Sequence, residues 1–111
     1  TVTDLHVTDA VAAAGSVTVT LGWTAPADAV TVTLRYAAAP ITDANWGSAT
    51  LLTDTLAGTA ETFTGTVSPY DGSTLYFALR SQNAEGVWSD VSNNAYWPRY
   101  DVYLPLVMRT E

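Results

Sequence analysis

Residues 16–26 read Ser-Val-Thr-Val-Thr-Leu-Gly-Trp-Thr-Ala-Pro, and Val17, Val19, Leu21 and Trp23 share one parity of the run. Thr18, Thr20, Gly22 and Thr24 take the other. Side chains alternate between the two faces of a strand, so this pattern is a half-buried strand with an apolar inner row and a hydroxyl-rich outer one. Pro26 cannot donate to a ladder and ends it. The next inward row is Val30, Val32, Leu34 and Tyr36, with Thr31, Thr33 and Arg35 outside. Upstream, Leu5 and Val7 alternate with His6 and Thr8. Downstream, residues 51–56 and 62–67 read as short strands, then Leu75, Phe77 and Leu79 point in while Tyr76, Ala78 and Arg80 point out. A last strand covers residues 92–97. Turn signals fall between these runs: Asp71-Gly72 after Pro69, and Asn83-Ala84-Glu85-Gly86. Seven strands with turns about 8–12 residues apart define an all-β sandwich. Its predicted core includes Trp23, Leu34, Tyr36, Phe77 and Leu79.

Composition supports strands and narrows function. Thr (18), Ala (17) and Val (12) dominate the 111 residues, and Thr and Val are strand formers. Eleven acidic residues oppose four Arg and no Lys, a net charge of −7. Such a surface disfavours nucleic acid, whose phosphates need cations. It equally disfavours anionic membranes, and no apolar run approaches the roughly 20 residues of a spanning helix. The chain lacks Cys, which removes disulfides, thiolate metal sites and thiol nucleophiles. The missing Lys removes Schiff-base chemistry, and a single His excludes any site built on two imidazoles. Low charge, Thr/Ala richness and no Lys are the composition of a secreted bacterial surface protein.

The strand sequences resemble bacterial fibronectin type III domains. The resemblance is carried by residues 16–26, Val32-Thr-Leu-Arg-Tyr36, Pro40-Ile-Thr, Asn45-Trp46, Gly72-Ser-Thr-Leu-Tyr-Phe-Ala-Leu-Arg80, Glu85-Gly-Val-Trp-Ser89 and Ser92-Asn93. It covers about residues 2–97 and implies a seven-stranded sandwich with Trp23 and Tyr36 in its core. One departure concerns the corner tyrosine of that family, which falls where this chain has Leu75, with Tyr76 one place later and outward. From this departure the turn between Val67 and Leu75 is expected to lack the corner hydrogen bond and to be held by packing alone.

Candidate chemistry is sparse. His6 and Asp4 share the outward face of the first strand, but a catalytic imidazole also needs a nucleophile in reach, so His6 is expected to be an exposed strand residue. Asp28 and Asp71 are the nearest approach to oxygen ligands for calcium, yet each suits a loop or turn and no spaced-carboxylate loop occurs. The eight Asp are scattered through turns, and a filled sandwich offers no cleft for a carboxylate pair. No catalytic residue, metal or cofactor is therefore expected. Trp46, Tyr70, Tyr76, Trp88, Tyr96 and Trp97 are candidates for stacking on sugar rings, against the alternative of packing at the sandwich edge. The resemblance implies packing for Trp46 and Trp88.

Residues 1–97 complete the domain, and residues 98–111 continue as Pro-Arg-Tyr-Asp-Val-Tyr-Leu-Pro-Leu-Val-Met-Arg-Thr-Glu. Tyr100, Val102, Leu104, Leu106 and Met108 share one parity, so this tail is expected to be an additional strand with one apolar face. Burying its Val, two Leu and Met is worth roughly 6–12 kcal/mol gross. Three docks are open to it: its own domain, a neighbouring copy or other surface protein by strand donation, or export and anchoring machinery. The function expected from sequence is thus a non-enzymatic extracellular structural or adhesive module, a filament or surface-array subunit linked through the tail. The alternative is a carbohydrate-associated accessory module of a larger secreted hydrolase.

Overall fold

The structure is a computed structural model that describes residues 1–97; residues 98–111, with the apolar row of the tail, lie outside the described residues. Seven strands follow in order: β1 (His6–Ala13), β2 (Ser16–Gly22), β3 (Ala29–Ala37), β4 (Thr50–Ala57), β5 (Thr62–Val67), β6 (Leu75–Asn83) and β7 (Ala95–Trp97). A single 3-10 turn, Trp46–Ser48, interrupts the connection from β3 to β4. The strands form a three-stranded sheet ordered β1-β2-β5 and a four-stranded sheet ordered β4-β3-β6-β7, all pairs antiparallel.

The inner faces follow the alternation of the sequence. Val17, Val19 and Leu21 from β2, with Trp23 just beyond, are buried against Val32, Leu34, Phe77 and Leu79. Tyr36 is half-buried at the rim of this core, its ring 6.4 Å from Phe77. Outside the three-stranded sheet, hydroxyls pair across strands: Thr18 with Thr66 at 3.0 Å and Thr20 with Thr64 at 2.9 Å. Ala14 and Gly15 make a two-residue hairpin between β1 and β2, and Gly15 supplies the positive φ of 77° it requires.

Three local expectations are corrected. Val30 belongs to the inward row by parity but is 48% exposed. The β3–β6 register shifts between Ala29 and Thr31, and this bulge turns Val30 out while Val32 onward keep their parity. The turn after Val67 is hydrogen-bonded rather than held by packing alone. Tyr70 Oη donates to the Ser73 carbonyl at 2.9 Å, its N–H donates to Gly15 at 2.8 Å, and Asp71 accepts from the Ser73 N–H and hydroxyl. A loop tyrosine thus ties this corner. The last strand is also shorter than residues 92–97, because serine hydroxyls replace ladder carbonyls ahead of it. Ser89 and Ser92 donate their N–H groups to Ser81 and Leu79, and their Oγ atoms accept the N–H groups of those same residues.

Candidate binding face

The outer face of the four-stranded sheet gathers most of the candidate aromatic side chains. On β3 the outward parity carries Thr31, Thr33 and Arg35; their partners on β6 are Gln82, Arg80 and Ala78. Residues 40–49 fold over this surface because Asn45 closes the loop locally. Its Oδ1 accepts the Thr42 N–H at 2.7 Å, and its Nδ2 donates to the Pro40 carbonyl at 3.0 Å. Arg35 Nη1 then donates to the carbonyls of Trp46 and Ala49 at 3.1 and 3.3 Å, holding the 3-10 turn on the sheet.

That placement sets Trp46 over two cations. The Arg35 guanidinium carbon lies 5.1 Å from the Trp46 ring centroid and that of Arg80 lies 5.8 Å away. Arg80 is also 6.0 Å from the Trp88 ring, and its Nε donates to the Ser89 carbonyl at 2.7 Å. The result is a layered group, indole–guanidinium–indole, in which each cation faces a π cloud. Ala78 and Thr33 are buried on this outer face, Ala78 opposite Arg35 and Thr33 opposite Arg80. Trp88 remains 42% exposed. An open groove between the two indoles is lined by Thr31, Thr33, Arg35, Asp54 and Gln82. Further along the same sheet, Tyr76 pairs with Tyr96 across strands at 6.0 Å between rings.

The remaining two aromatics go elsewhere. Tyr70 and Trp97 meet at 6.0 Å and pack against the core at the end of the sandwich where β7 stops. His6 is exposed, and its Nδ1 donates to the Asp4 carbonyl at 2.7 Å. The Asp4 carboxylate binds the Thr24 hydroxyl and N–H instead, and these hydrogen bonds hold its pKa below 3.8. Hydrogen bonds from Ser73 lower Asp71 in the same way. Asp28 is exposed at a loop tip. No three His, Asp or Glu gather closely enough to hold a metal among the described residues. The tail positions Tyr100, Val102, Leu104, Leu106 and Met108 lie outside them.

Two asparagines to which the sequence assigns no fastening role secure the framework beside this face. Asn93 exchanges two hydrogen bonds of 2.9 Å with the backbone of Leu5, and Asn94 does the same with Ile41 at 2.7 and 2.9 Å. Each side-chain amide stands in for a peptide unit, pinning the N-terminal segment and the 40–49 loop to the start of β7. In the sequence this Asn-Asn pair falls inside the strand expected over residues 92–97, and nothing there marks its partners.

The three-plus-four arrangement is that of a fibronectin type III-like sandwich. An Fn3-like protein from Clostridium thermocellum is similar to this chain at a TM-score of 0.63 and 17% identity, over 89% of this chain and 93% of that one. A pectate lyase from Pectobacterium carotovorum is similar at a TM-score of 0.56 and 13% identity, over 87% of this chain and 27% of that one. No protein-family model and no curated protein matches the sequence.

Proposed function

We propose that this domain is a non-catalytic, extracellular accessory module of a secreted carbohydrate-active polypeptide, and that the outer face of its four-stranded sheet meets polysaccharide. The observation that carries this reading is the groove between Trp46 and the partly exposed Trp88. The flat C–H face of a sugar ring stacks on indole, and side chains such as Gln82, Asp54 and Thr31 suit its hydroxyls. The likeness to about a quarter of a pectate lyase supports an accessory setting. A non-catalytic role is supported by how several carboxylates are engaged: Asp4 by Thr24, Asp43 by the Val91 N–H, Glu61 by the Ala25 N–H and Asp71 by Ser73. The test is depletion of the protein from solution by insoluble plant polysaccharides. Binding should weaken severalfold in Trp88→Ala with the melting temperature unchanged. Equal depletion of both proteins, or hydrolysis of the polysaccharide by the purified domain, would contradict the reading.

A second reading, linkage of copies through the tail into a filament or surface array, is favoured by one register. Trp97 pairs with Leu75, the first residue of β6, so the ladder offers no further strand position there. A neighbouring copy is one dock open to the apolar row that follows in the sequence. Light scattering of the full chain tests this. Large assemblies that dissolve to monomer in the double variant Leu104→Asp, Leu106→Asp are expected, and a monomeric full chain would contradict it.

A further inference from the structure

The charge of the binding face specifies its ligand further. We infer that the polysaccharide recognised here is acidic, with ring carboxylates read by Arg35, which lines the groove, and by Arg80, which lies between the two indoles; this rests on the polysaccharide reading above. The full chain carries −7, and its described residues include two cations, Arg35 and Arg80. Both lie on this one face, within 6 Å of the same Trp46 ring. Among the described residues neither is paired with a carboxylate. Each guanidinium offers five N–H donors, yet Arg80 makes one hydrogen bond and Arg35 two, all to backbone carbonyls.

Two neighbouring guanidiniums without a carboxylate partner repel one another, and the indole faces and carbonyls around them stabilise their charge without neutralising it. An anionic ligand relieves both. A carboxylate accepts bidentate hydrogen bonds from a guanidinium fork, while the ring that bears it stacks on Trp88. A neutral sugar would use the indoles and leave the charges idle. A nucleic-acid strand would also supply anions, but a net charge of −7 repels a polymer of phosphates over its whole length. Asp54 on the groove wall accepts from a ring hydroxyl and disfavours a carboxylate placed on its side, which sets the ring's orientation.

Native affinity electrophoresis of the full chain tests this with three gel-embedded polymers: polygalacturonate, its methyl ester and a neutral galactan. Simple charge repulsion predicts that polygalacturonate leaves the migration of an acidic protein unchanged. Retardation in polygalacturonate that exceeds that in the ester, and fades in about 0.5 M salt as screening shortens to a few ångströms, is the expected result. Arg80→Gln should reduce that retardation by up to about fivefold, the span of an exposed charge pair. Trp88→Ala should reduce retardation in all three gels, and thermal melts verify that both variants fold. Equal retardation in polygalacturonate and its ester overturns the inference while leaving the polysaccharide reading standing. Retardation in none of the gels overturns both. Undiminished retardation of both variants moves binding off this face and overturns the inference as well.

Discussion

Asn93 and Asn94 carry more of the framework than their chemistry announces. Each satisfies both the N–H and the C=O of a residue far away in sequence, and removing one amide leaves a part-buried peptide unit without partners. Asn93→Ala should therefore cost about 1–3 kcal/mol, read as a lower denaturant midpoint at constant m-value; a change below about 0.5 kcal/mol would show that water replaces the amide. Trp23, 4% exposed, has a different balance. Its buried indole N–H has no partner among the described residues, so apolar contact is what holds the side chain. Trp23→Ala should cost about 3–5 kcal/mol, and a chemical melt showing less than about 1 kcal/mol would mean that the side chain is not the core anchor described here. The parity of residues 17–23 makes Trp23 legible from sequence, since burial there follows from alternation. The asparagines are not legible, because their partners are fixed only once both sheets have assembled.

At the scale of elements, alternation predicts the inner rows of β1, β2, β6 and most of β3, and fails where the backbone departs from a regular ladder. Val30 obeys the parity of its neighbours in sequence, but the bulge at Ala29–Thr31 gives β3 one extra residue and reverses it. Close approach of chains explains why this spot is special. A Cβ on Gly58 would lie 2.0 Å from the Ala29 carbonyl oxygen, and the Gly58 N–H donates to the Val30 carbonyl at 3.0 Å. Gly58→Ala must push the 57–60 turn off β3, so a loss of about 1–3 kcal/mol or more is expected. An unchanged melting temperature would show that the bulge yields freely. Similar reasoning applies ahead of β7, where serine hydroxyls imitate carbonyls and the strand signal of residues 92–97 overstates regular pairing. The outward parity of Tyr76 and Arg80 is plain in the sequence. Trp46 joins them only because Asn45 closes its loop and Arg35 caps the turn, a three-part arrangement with no periodic signature.

For the whole molecule, charge is the organising fact. Acidic side chains are spread over loops and edges, while the two described cations meet on one sheet face between indoles. Acid should act through the engaged carboxylates. Asp4 and Asp71 have folded pKa values below 3.8, held there by hydrogen bonds from Thr24 and Ser73. Their contribution to stability is complete above that value and is lost as pH falls through the lowered folded values. Melting temperature should hold from neutrality to about pH 5 and drop below about pH 4, and Asp4→Asn should flatten part of that drop; a fall already complete by pH 5 would point to other groups. The polysaccharide-binding face is the claim on which the functional account stands, and the four tryptophans supply an internal comparison for it. In a proton–nitrogen correlation spectrum of the full chain titrated with oligogalacturonate, the indole signals of Trp46 and Trp88 should shift together with Arg80 and Gln82, while those of Trp23 and Trp97 stay in place. Absence of any shift, or shifts confined to Thr18, Thr20, Thr64 and Thr66 on the opposite sheet, would contradict it.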